Sequence, residues 1–271
     1  MNLMFRYLLL YTLLFFGFLQ ETRSQVATSV NPSSLSPRKY EMDTINSIKK
    51  IREDDKMYQI SVWRRIDLSE KYNLPLYGSG AAKKDGIVEN IYKAVKSNLP
   101  VYSDSEFTKP LGIKEFDSLF WFKTDGDSIL GPEQFTFLDF KEDFVFDRQH
   151  SQFKFDIKYI QLIMPAEVFG GGKQQNIAFI RYKDFIDYFK DNKEARWINF
   201  KNISEHKTYP QAFEQRLFRS YVTKYTNEAD DTILNLLSSN TPADRLKMQA
   251  YLDGLAYEYK LLDLENSVWE W

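Results

Sequence analysis

The stretch from Phe153 to Tyr159 places the strictest limit on how this chain folds. Its sequence, FKFDIKY, alternates apolar with charged residues. The apolar positions are Phe153, Phe155, Ile157 and Tyr159, and the charged positions are Lys154, Asp156 and Lys158. A repeat of two residues is that of an extended strand, and one charged side indicates that the strand is half buried. We therefore predict antiparallel strands, with the four apolar residues on one face.

Neighbouring segments extend this β-rich region. QFTFLDF and DFVFDRQ precede the alternating stretch, and NIAFIRY follows it. All three are short and rich in aromatic and branched residues, which indicates strands. Before NIAFIRY lies EVFGGGKQQN, in which Gly170 to Gly172 permit a backbone with positive φ. We interpret this segment as a turn between two strands.

The segments before position 100 favour helices. One set of apolar residues recurs every three positions within two short runs, which predicts a helix or a helix-turn-helix that ends before Pro75. This set is Ile45, Ile48, Ile51, Ile60, Trp63 and Ile66. A second set falls on one face of a helix that follows Asp85. It comprises Ile87, Ile91, Ala94 and Val95.

The segments after position 183 also favour helices. YKDFIDYFKDN is one, and a spacing of four predicts another through Phe213, Leu217, Tyr221 and Tyr225. The final helix is predicted from Thr241 as its N-cap and Pro242 as its first residue. Its apolar stripe is Met248, Leu252, Leu255, Tyr259 and Leu262. We expect this stripe to bury against the domain or against a partner helix.

These patterns predict an α+β fold, with a mostly antiparallel sheet flanked by helices and a helical C-terminal segment. We assign residues 43–271 to this domain, with helical sub-regions at 43–100 and 205–271 around the β-rich middle. Residues 1–24 carry a long uncharged run, which predicts a secretory signal peptide. Residues 25–42 are rich in Ser and Pro, which predicts a flexible arm.

Composition excludes several classes of function. The chain has no cysteine, so disulfides, thiolate metal sites and cysteine nucleophiles are excluded. Its 36 basic and 38 acidic residues nearly balance, which argues against nucleic acid as a partner. Aromatic residues make up 16% of the chain, enough for a heavy core and for interfaces.

Motifs for metal or phosphate chemistry are incomplete. His150 and His206 are far apart and have no ligand at metal spacing, which favours a surface or structural role. Lys173 follows three glycines but lacks the Ser or Thr of a phosphate loop. The segment from Asp125 to Glu133 resembles a calcium loop, but Ile129 occupies a ligand position.

One acidic cluster invites a catalytic hypothesis. Glu142, Asp143 and Asp147 offer the carboxylates of a glycosidase, which need to face each other across a cleft. A solvated strand edge is the simpler account, because the chain is rich in acids throughout.

Trp63-Arg64-Arg65 supports two interpretations. In the first, Trp63 lies in the core, and both arginines lie on an exposed helix face where they pair with Asp67 and Glu70. In the second, the triplet anchors a partner, because Trp and Arg are over-represented at binding hot spots. A buried Trp is commonplace, which favours the first.

Five stretches together resemble one known family. They are VWRRIDLSEKYNLPLY, SEFTKPL, FKEDFVFDRQHSQFKFDIKYIQLIMP, FEQRLFRSYVTKYTN and LLDLENSVWEW. In their order and number they resemble the gliding motility protein family GldN, also called PorN, of Bacteroidota. The likeness runs from about Asp54 to Trp271 and is loose over NKEARWINFKNISEHKTYPQ.

That resemblance implies a non-enzymatic, periplasmic component of the type IX secretion system, without a cofactor. It implies assembly into a ring with a GldK/PorK-like outer-membrane lipoprotein, near a GldM/PorM-like motor component, as a homo- and hetero-oligomer. After signal cleavage we expect no membrane span. We name Trp63, Arg64, Arg65, Trp269 and Trp271 as candidate partner-interface residues.

Two alternatives remain open at this stage. Surplus aromatic residues also suit a secreted carbohydrate-binding or adhesion module. Paired acids, among them Glu142 and Asp147, would suit a periplasmic hydrolase.

Overall fold

The computed structural model describes residues 51–78, 86–121, 131–166, 174–199, 202 and 205–267. Its strands are β1 (Lys56–Asp67), β2 (Phe137–Asp147), β3 (Gln152–Met164), β4 (Gln175–Arg181), β5 (Arg196–Trp197), β6 (Lys207–Thr208) and β7 (Tyr221–Tyr225). Its helices are α1 (Leu74–Tyr77), α2 (Ile87–Lys96), α3 (Ile113–Phe120), α4 (Tyr182–Phe189), α5 (Tyr209–Glu214), α6 (Ile233–Ser238) and α7 (Ala243–Ser267). The α+β class is confirmed.

A five-stranded antiparallel sheet organises the domain, in the order β4-β3-β2-β1-β7. The predicted β-rich middle supplies β2, β3 and β4, which are consecutive in the chain and adjacent in the sheet. The outer strand β7 comes from much later in the sequence and pairs with β1. The sheet therefore brings an early segment of the described chain next to a late one.

The alternation that predicted β3 holds only in part. Phe153, Phe155 and Ile157 share one face, but a β-bulge near Lys158 shifts the register against β2. Ile157 pairs with Glu142 and Tyr159 with Lys141, and neighbours on β2 point to opposite faces. Tyr159 therefore lies on the other face, and its predicted placement was wrong because a bulge inserts one extra residue.

One face of the sheet, here called the core face, packs against helices. Ile66, Leu138 and Ile160 from the strands form a buried cluster with helical residues. The helical members of that cluster include Ile87, Ile91, Phe116, Phe120, Phe185, Phe189 and Phe213. Helix α2 buries the face predicted for it, Ile87, Ile91, Ala94 and Val95. Helix α4 likewise confirms the prediction for YKDFIDYFKDN.

Two predicted helices are strands. The first is strand β1, which lies between β2 and β7 and includes Ile60, Trp63 and Ile66. Tyr221 and Tyr225 lie on β7, and only Phe213 of that set lies in a helix, α5. The sub-regions 43–100 and 205–271 are therefore not purely helical. Apolar residues three or four positions apart over a short segment do not distinguish a helix from a strand. In β1 the buried Arg64 also interrupts the apolar alternation that would have indicated a strand.

The long helix α7 packs across β7 and completes a second buried cluster with Val62, Phe144 and Val222. Close approach is possible because Gly254 has no side chain: a Cβ there would lie 2.2 Å from the Val222 carbonyl oxygen. Tyr257 stacks on Tyr225, with ring centroids 4.1 Å apart. The Gly254 contact therefore sets the distance between helix and sheet.

Other predictions lie outside the described residues or are limited to them. The signal peptide at 1–24, the arm at 25–42 and Gly170 to Gly172 are outside. The strands that flank those glycines, β3 and β4, pair antiparallel as predicted. Among the described helices, none combines the length and the apolar character needed to cross a bilayer.

We expect Gly254→Ala to lower the free energy of unfolding by about 1–3 kcal/mol, the usual cost of overpacking. Helix propensity alone predicts the opposite sign, because Ala is a better helix former than Gly. Gly112→Ala is the control, since a Cβ there has nothing within 4 Å. Urea denaturation of both variants measures the difference, and a stabilised Gly254→Ala protein would contradict the described contact.

Candidate partner interface

Strand β1 separates the three residues of the Trp63-Arg64-Arg65 triplet. Successive side chains on a strand point to opposite faces. Arg64 pairs with Phe140 of β2 and points to the core face, where it is 3% exposed. Trp63 and Arg65 point to the other face, here called the open face, and are half-buried. The helix-based prediction that both arginines lie exposed beside Asp67 and Glu70 was therefore wrong.

Arg64 belongs to a cluster of four charged side chains, of which Arg64 and Glu142 are buried and Arg216 and Glu258 are partly exposed. Its Nε donates to Oε1 of Glu142 at 2.6 Å, and its Nη1 donates to Oε1 of Glu258 on α7 at 2.8 Å. The other oxygen of Glu142 accepts from Nη2 of Arg216 at 2.5 Å. Glu142 is completely buried. We call Arg64, Glu142, Arg216 and Glu258 the buried charge cluster.

Each charge in this cluster has an opposite charge beside it. Burial lowers the pKa of the Arg64 guanidinium, but Glu142 and Glu258 outweigh burial and raise that pKa above its ordinary value. The guanidinium of Arg216 also lies 3.9 Å from the centre of the Phe155 ring, a cation-π contact. The cluster joins β1, β2, α7 and the segment after α5. We therefore assign the cluster a structural role, because its described hydrogen bonds join its members to one another or to neighbouring residues.

Trp63 forms the centre of the open face. Its Nε1 donates to the hydroxyl of Tyr159 at 3.0 Å. The ammonium groups of Lys141 and Lys224 lie 4.8 and 4.6 Å from the centre of its ring. Burial raises the pKa of Tyr159 to about 12, although the hydrogen bond from Trp63 lowers it. Trp63 is thus half-buried outside the core, with an ammonium group near its ring from each neighbouring strand.

Arg65 lies beside Trp63 and is fixed by a bidentate pair. Its Nε and Nη2 donate to the two oxygens of Asp139 at 2.7 and 2.8 Å. Burial lowers the pKa of Arg65, but the hydrogen bonds and charge of Asp139 outweigh burial and raise it. The guanidinium also lies over the ring of Phe137. Such a pre-formed arrangement loses little side-chain freedom on binding.

Along β2 and β3 this side of the sheet carries acidic side chains that are buried: Asp143, Asp147 and Asp156 are 7%, 2% and 3% exposed. Asp143 accepts from the hydroxyl of Ser61 at 2.6 Å, and Lys158 donates to Asp156 at 2.5 Å. Lys154 donates to Asp147 at 2.6 Å, and the ring Nδ1 of His150 lies 2.7 Å from the same carboxylate. The hydrogen bond from Lys154 outweighs desolvation and, with those involving His150, lowers the pKa of Asp147 to about 2.

The structure separates the acids proposed as a hydrolase pair. Glu142 lies on the core face and Asp147 on the open face of the same strand. Five residues of strand also place them about 17 Å apart along its axis. A glycosidase needs two carboxyl groups within about 10 Å across one cleft. Glu142 and Asp147 therefore cannot act as that pair, and the hypothesis that named them is wrong.

The two histidines make local contacts. His150 lies in the turn between β2 and β3, beside Asp147, and His206 accepts from the backbone N–H of Asn199 at 3.3 Å. Within the described part of the chain, no group of three or more His, Asp or Glu is placed to hold a metal ion.

A cleft of about 210 Å³ lies beside the buried charge cluster. The residues that line it include Phe155, Ile157, Tyr182, Glu214 and Arg216. The hydroxyl of Tyr182 is buried and has no hydrogen-bond partner among the described residues. Binding pockets for drug-sized ligands usually measure about 300–1,000 Å³, so this cleft has room for a single side chain.

Sequence reasoning missed Glu258 and Arg216, which complete the buried charge cluster, and Lys141 and Lys224, which hold Trp63. No local signal marks them, because their partners are distant in the sequence. The predicted interface residues Trp269 and Trp271 lie outside the described residues. The interface role of the whole set stays a prediction.

Comparison with known proteins identifies a family for this chain. A family model described as gliding motility associated protein GldN matches residues 51–270, which is more than half of the chain. No curated protein matches significantly. The matched region begins just before β1 and includes all the strands and helices described above.

We expect Glu142→Gln to lower the free energy of unfolding by about 3–5 kcal/mol, because it leaves the buried guanidinium of Arg64 and the partly exposed guanidinium of Arg216 without their shared anion. Asp187→Asn is the matched control: it removes the acid of an exposed pair with Lys190 at 3.0 Å and should have little effect. Urea denaturation measures both. Equal effects of the two variants would contradict a structural role for the cluster.

Acid stability should report on Asp147. Its pKa is about 2 in the folded protein and about 3.8 when unperturbed, so its stabilisation is complete above about pH 4 and is lost as the pH falls towards 2. We expect Asp147→Asn to be less stable than the parent at pH 6, with the gap closing between pH 4 and 2. Urea midpoints across this range measure the gap. A gap that stays constant with pH would refute the lowered pKa.

Proposed function

Because the chain belongs to the family of the gliding motility associated protein GldN, we propose that it is a non-enzymatic scaffold within the gliding motility and type IX secretion machinery. Its work in this proposal is protein assembly rather than turnover. The family match supports the machinery, and the contacts on the open face support the role as a scaffold.

The proposed location is the periplasm, with association to the outer membrane through a partner. The predicted signal peptide supports export. The chain has no cysteine that could carry a lipid, so a GldK/PorK-like lipoprotein would supply the anchor. In this proposal the two proteins form a ring, and a GldM/PorM-like motor component lies nearby. Repeated heterologous contacts are what closes such a ring.

The observation that carries the scaffold role is the open face around Trp63. It presents one tryptophan, one bidentate arginine pair and lysines of β2 and β7, all held in place by partners within the sheet. Trp and Arg are enriched where binding energy concentrates. Alternating charges around them would favour one orientation of a protein partner over others. A rigid, mixed-charge surface of this kind suits a fixed joint.

A carbohydrate-binding module is the alternative. It needs an aromatic ring whose face is available to a sugar. Two ammonium groups already lie near the ring of Trp63, within 5 Å of its centre. This occupation disfavours sugar stacking at Trp63 and favours the scaffold.

Co-expression with the cognate GldK-like lipoprotein tests the proposal. We expect the mature chain to co-purify with it and to form large rings under the electron microscope. Trp63→Ala should reduce the retained lipoprotein at least ten-fold, whereas Tyr72→Ala, which removes a residue 61% exposed elsewhere, should not. Circular dichroism confirms that both variants fold.

The other outcomes are informative as well. A chain that stays monomeric and ignores the lipoprotein would refute the scaffold role. If it then bound glycans on an array, the carbohydrate-binding alternative would replace it. Normal rings with Trp63→Ala would keep the scaffold but move the joint away from the open face.

A further inference from the structure

Helix α7 is apolar on two opposite sides. One side faces the sheet, where Gly254 contacts Val222, Tyr257 stacks on Tyr225 and Leu261 is buried. The other side carries the predicted stripe. A surface helix of a single globular domain needs only one apolar side. The second side therefore has no role in the packing of the described domain.

The stripe is open to solvent. Met248 is 64% exposed, Leu252 48%, Tyr259 68% and Leu262 46%, whereas the central Leu255 is partly buried. Of the two expectations for the stripe, burial against the domain is wrong, and burial against a partner helix stays a prediction. A run of exposed apolar residues along a helix usually marks an interaction site. The groove of about 330 Å³ between α6 and α7 is not part of this stripe, because its α7 lining includes Asp253, Ala256 and Lys260 and none of the stripe residues.

The stripe has the spacing of a helix–helix seam and is nearly symmetric about its centre. Its residues follow one another by four, three, four and three positions, which is the heptad pattern of paired helices. Met248 and Leu262 each lie seven residues from Leu255. Reversing the direction of the helix therefore places apolar residues opposite apolar residues. A second copy of the same helix, running antiparallel, matches this stripe.

Charges at the two ends of α7 favour the same arrangement. Arg245 and Asp263 are 18 residues apart, as are Lys247 and Glu265. Eighteen residues are five full turns, so each pair shares one flank of the stripe. In an antiparallel pair, Arg245 lies near Asp263 of the second copy, and Lys247 near Glu265 of the second copy. A parallel pair would instead bring like charges together at both ends.

We propose that α7 is a homotypic docking helix, through which two copies of this chain pair antiparallel about an axis near Leu255. The contact is two-fold symmetric, so the same surface serves both copies. It uses a helix face distinct from the open face of the sheet. It also stands without the family assignment, because it rests only on the exposure, spacing and charge of α7. Arg245 already contacts Asp244 at 3.8 Å, an exposed pair that is readily exchanged.

Cysteine crosslinking tests the orientation of the two helices. The chain has no cysteine of its own, so only the introduced thiols react. We expect Leu255→Cys to form a covalent dimer with a short bismaleimide. Met248→Cys and Leu262→Cys should each fail alone, because like positions lie about 21 Å apart in an antiparallel pair. A mixture of the two should crosslink. Tyr72→Cys, on an exposed residue elsewhere, sets the background.

Charge exchange tests the flanks. Arg245→Asp with Lys247→Glu makes both ends of α7 acidic, and Asp263→Arg with Glu265→Lys makes both ends basic. We expect each double variant to dimerise at least ten-fold more weakly than the parent by sedimentation. Mixing the two should restore the dimer, because opposite charges then meet on both flanks. A purely apolar contact would show neither effect.

Several results would overturn the proposal. Crosslinking of Met248→Cys with itself would indicate a parallel pair. A parent chain that sediments as a monomer at high concentration, with crosslinking at background, would exclude the homotypic contact. Leu252→Gln with Leu262→Gln provides a further check, since both residues are exposed and the domain should stay folded. If this variant dimerised as the parent does, the stripe would not be the seam.

Discussion

The pairing of Arg64 with Glu142 is the constraint on which the rest of the structure depends. Two charges removed from water cost several kcal/mol each unless close partners compensate them. Glu142 is completely buried, so its two arginines must both be present. The backbone of Arg216 itself lies in the left-handed region, at φ 51°. Few residues other than glycine adopt this conformation. The core face is therefore assembled around a charge rather than around a purely apolar centre.

Local pattern sufficed to predict the elements whose partners are close in sequence. The β2–β3 hairpin follows from alternation, because each strand lies directly beside the next. The helix with Ile87 and Ile91 follows from its single apolar face, and α7 follows from a repeat over many turns. In each case the residues that decide the structure lie within the segment itself. The antiparallel class of the sheet could be predicted for the same reason.

Distant partners explain what could not be predicted. Arg64 interrupts the apolar alternation of β1, and only Glu142 and Glu258 make its burial possible. They are 78 and 194 residues away. Trp63 was favoured as a core residue because isolated tryptophans usually are, but the strand turns it to the open face. The bulge that moves Tyr159 is likewise set by pairing with β2. No single segment holds this information.

The pairing of β1 with β7 has a consequence for the order of folding. About 160 residues separate the paired positions, and closing so long a loop is entropically costly and slow. Until the late strand and Glu258 arrive, β1 exposes an unpaired edge and Arg64 lacks one of its anions. A chain that has not yet formed this pairing would therefore be an aggregation-prone intermediate, so a holdase chaperone would benefit this protein more than one built from local contacts.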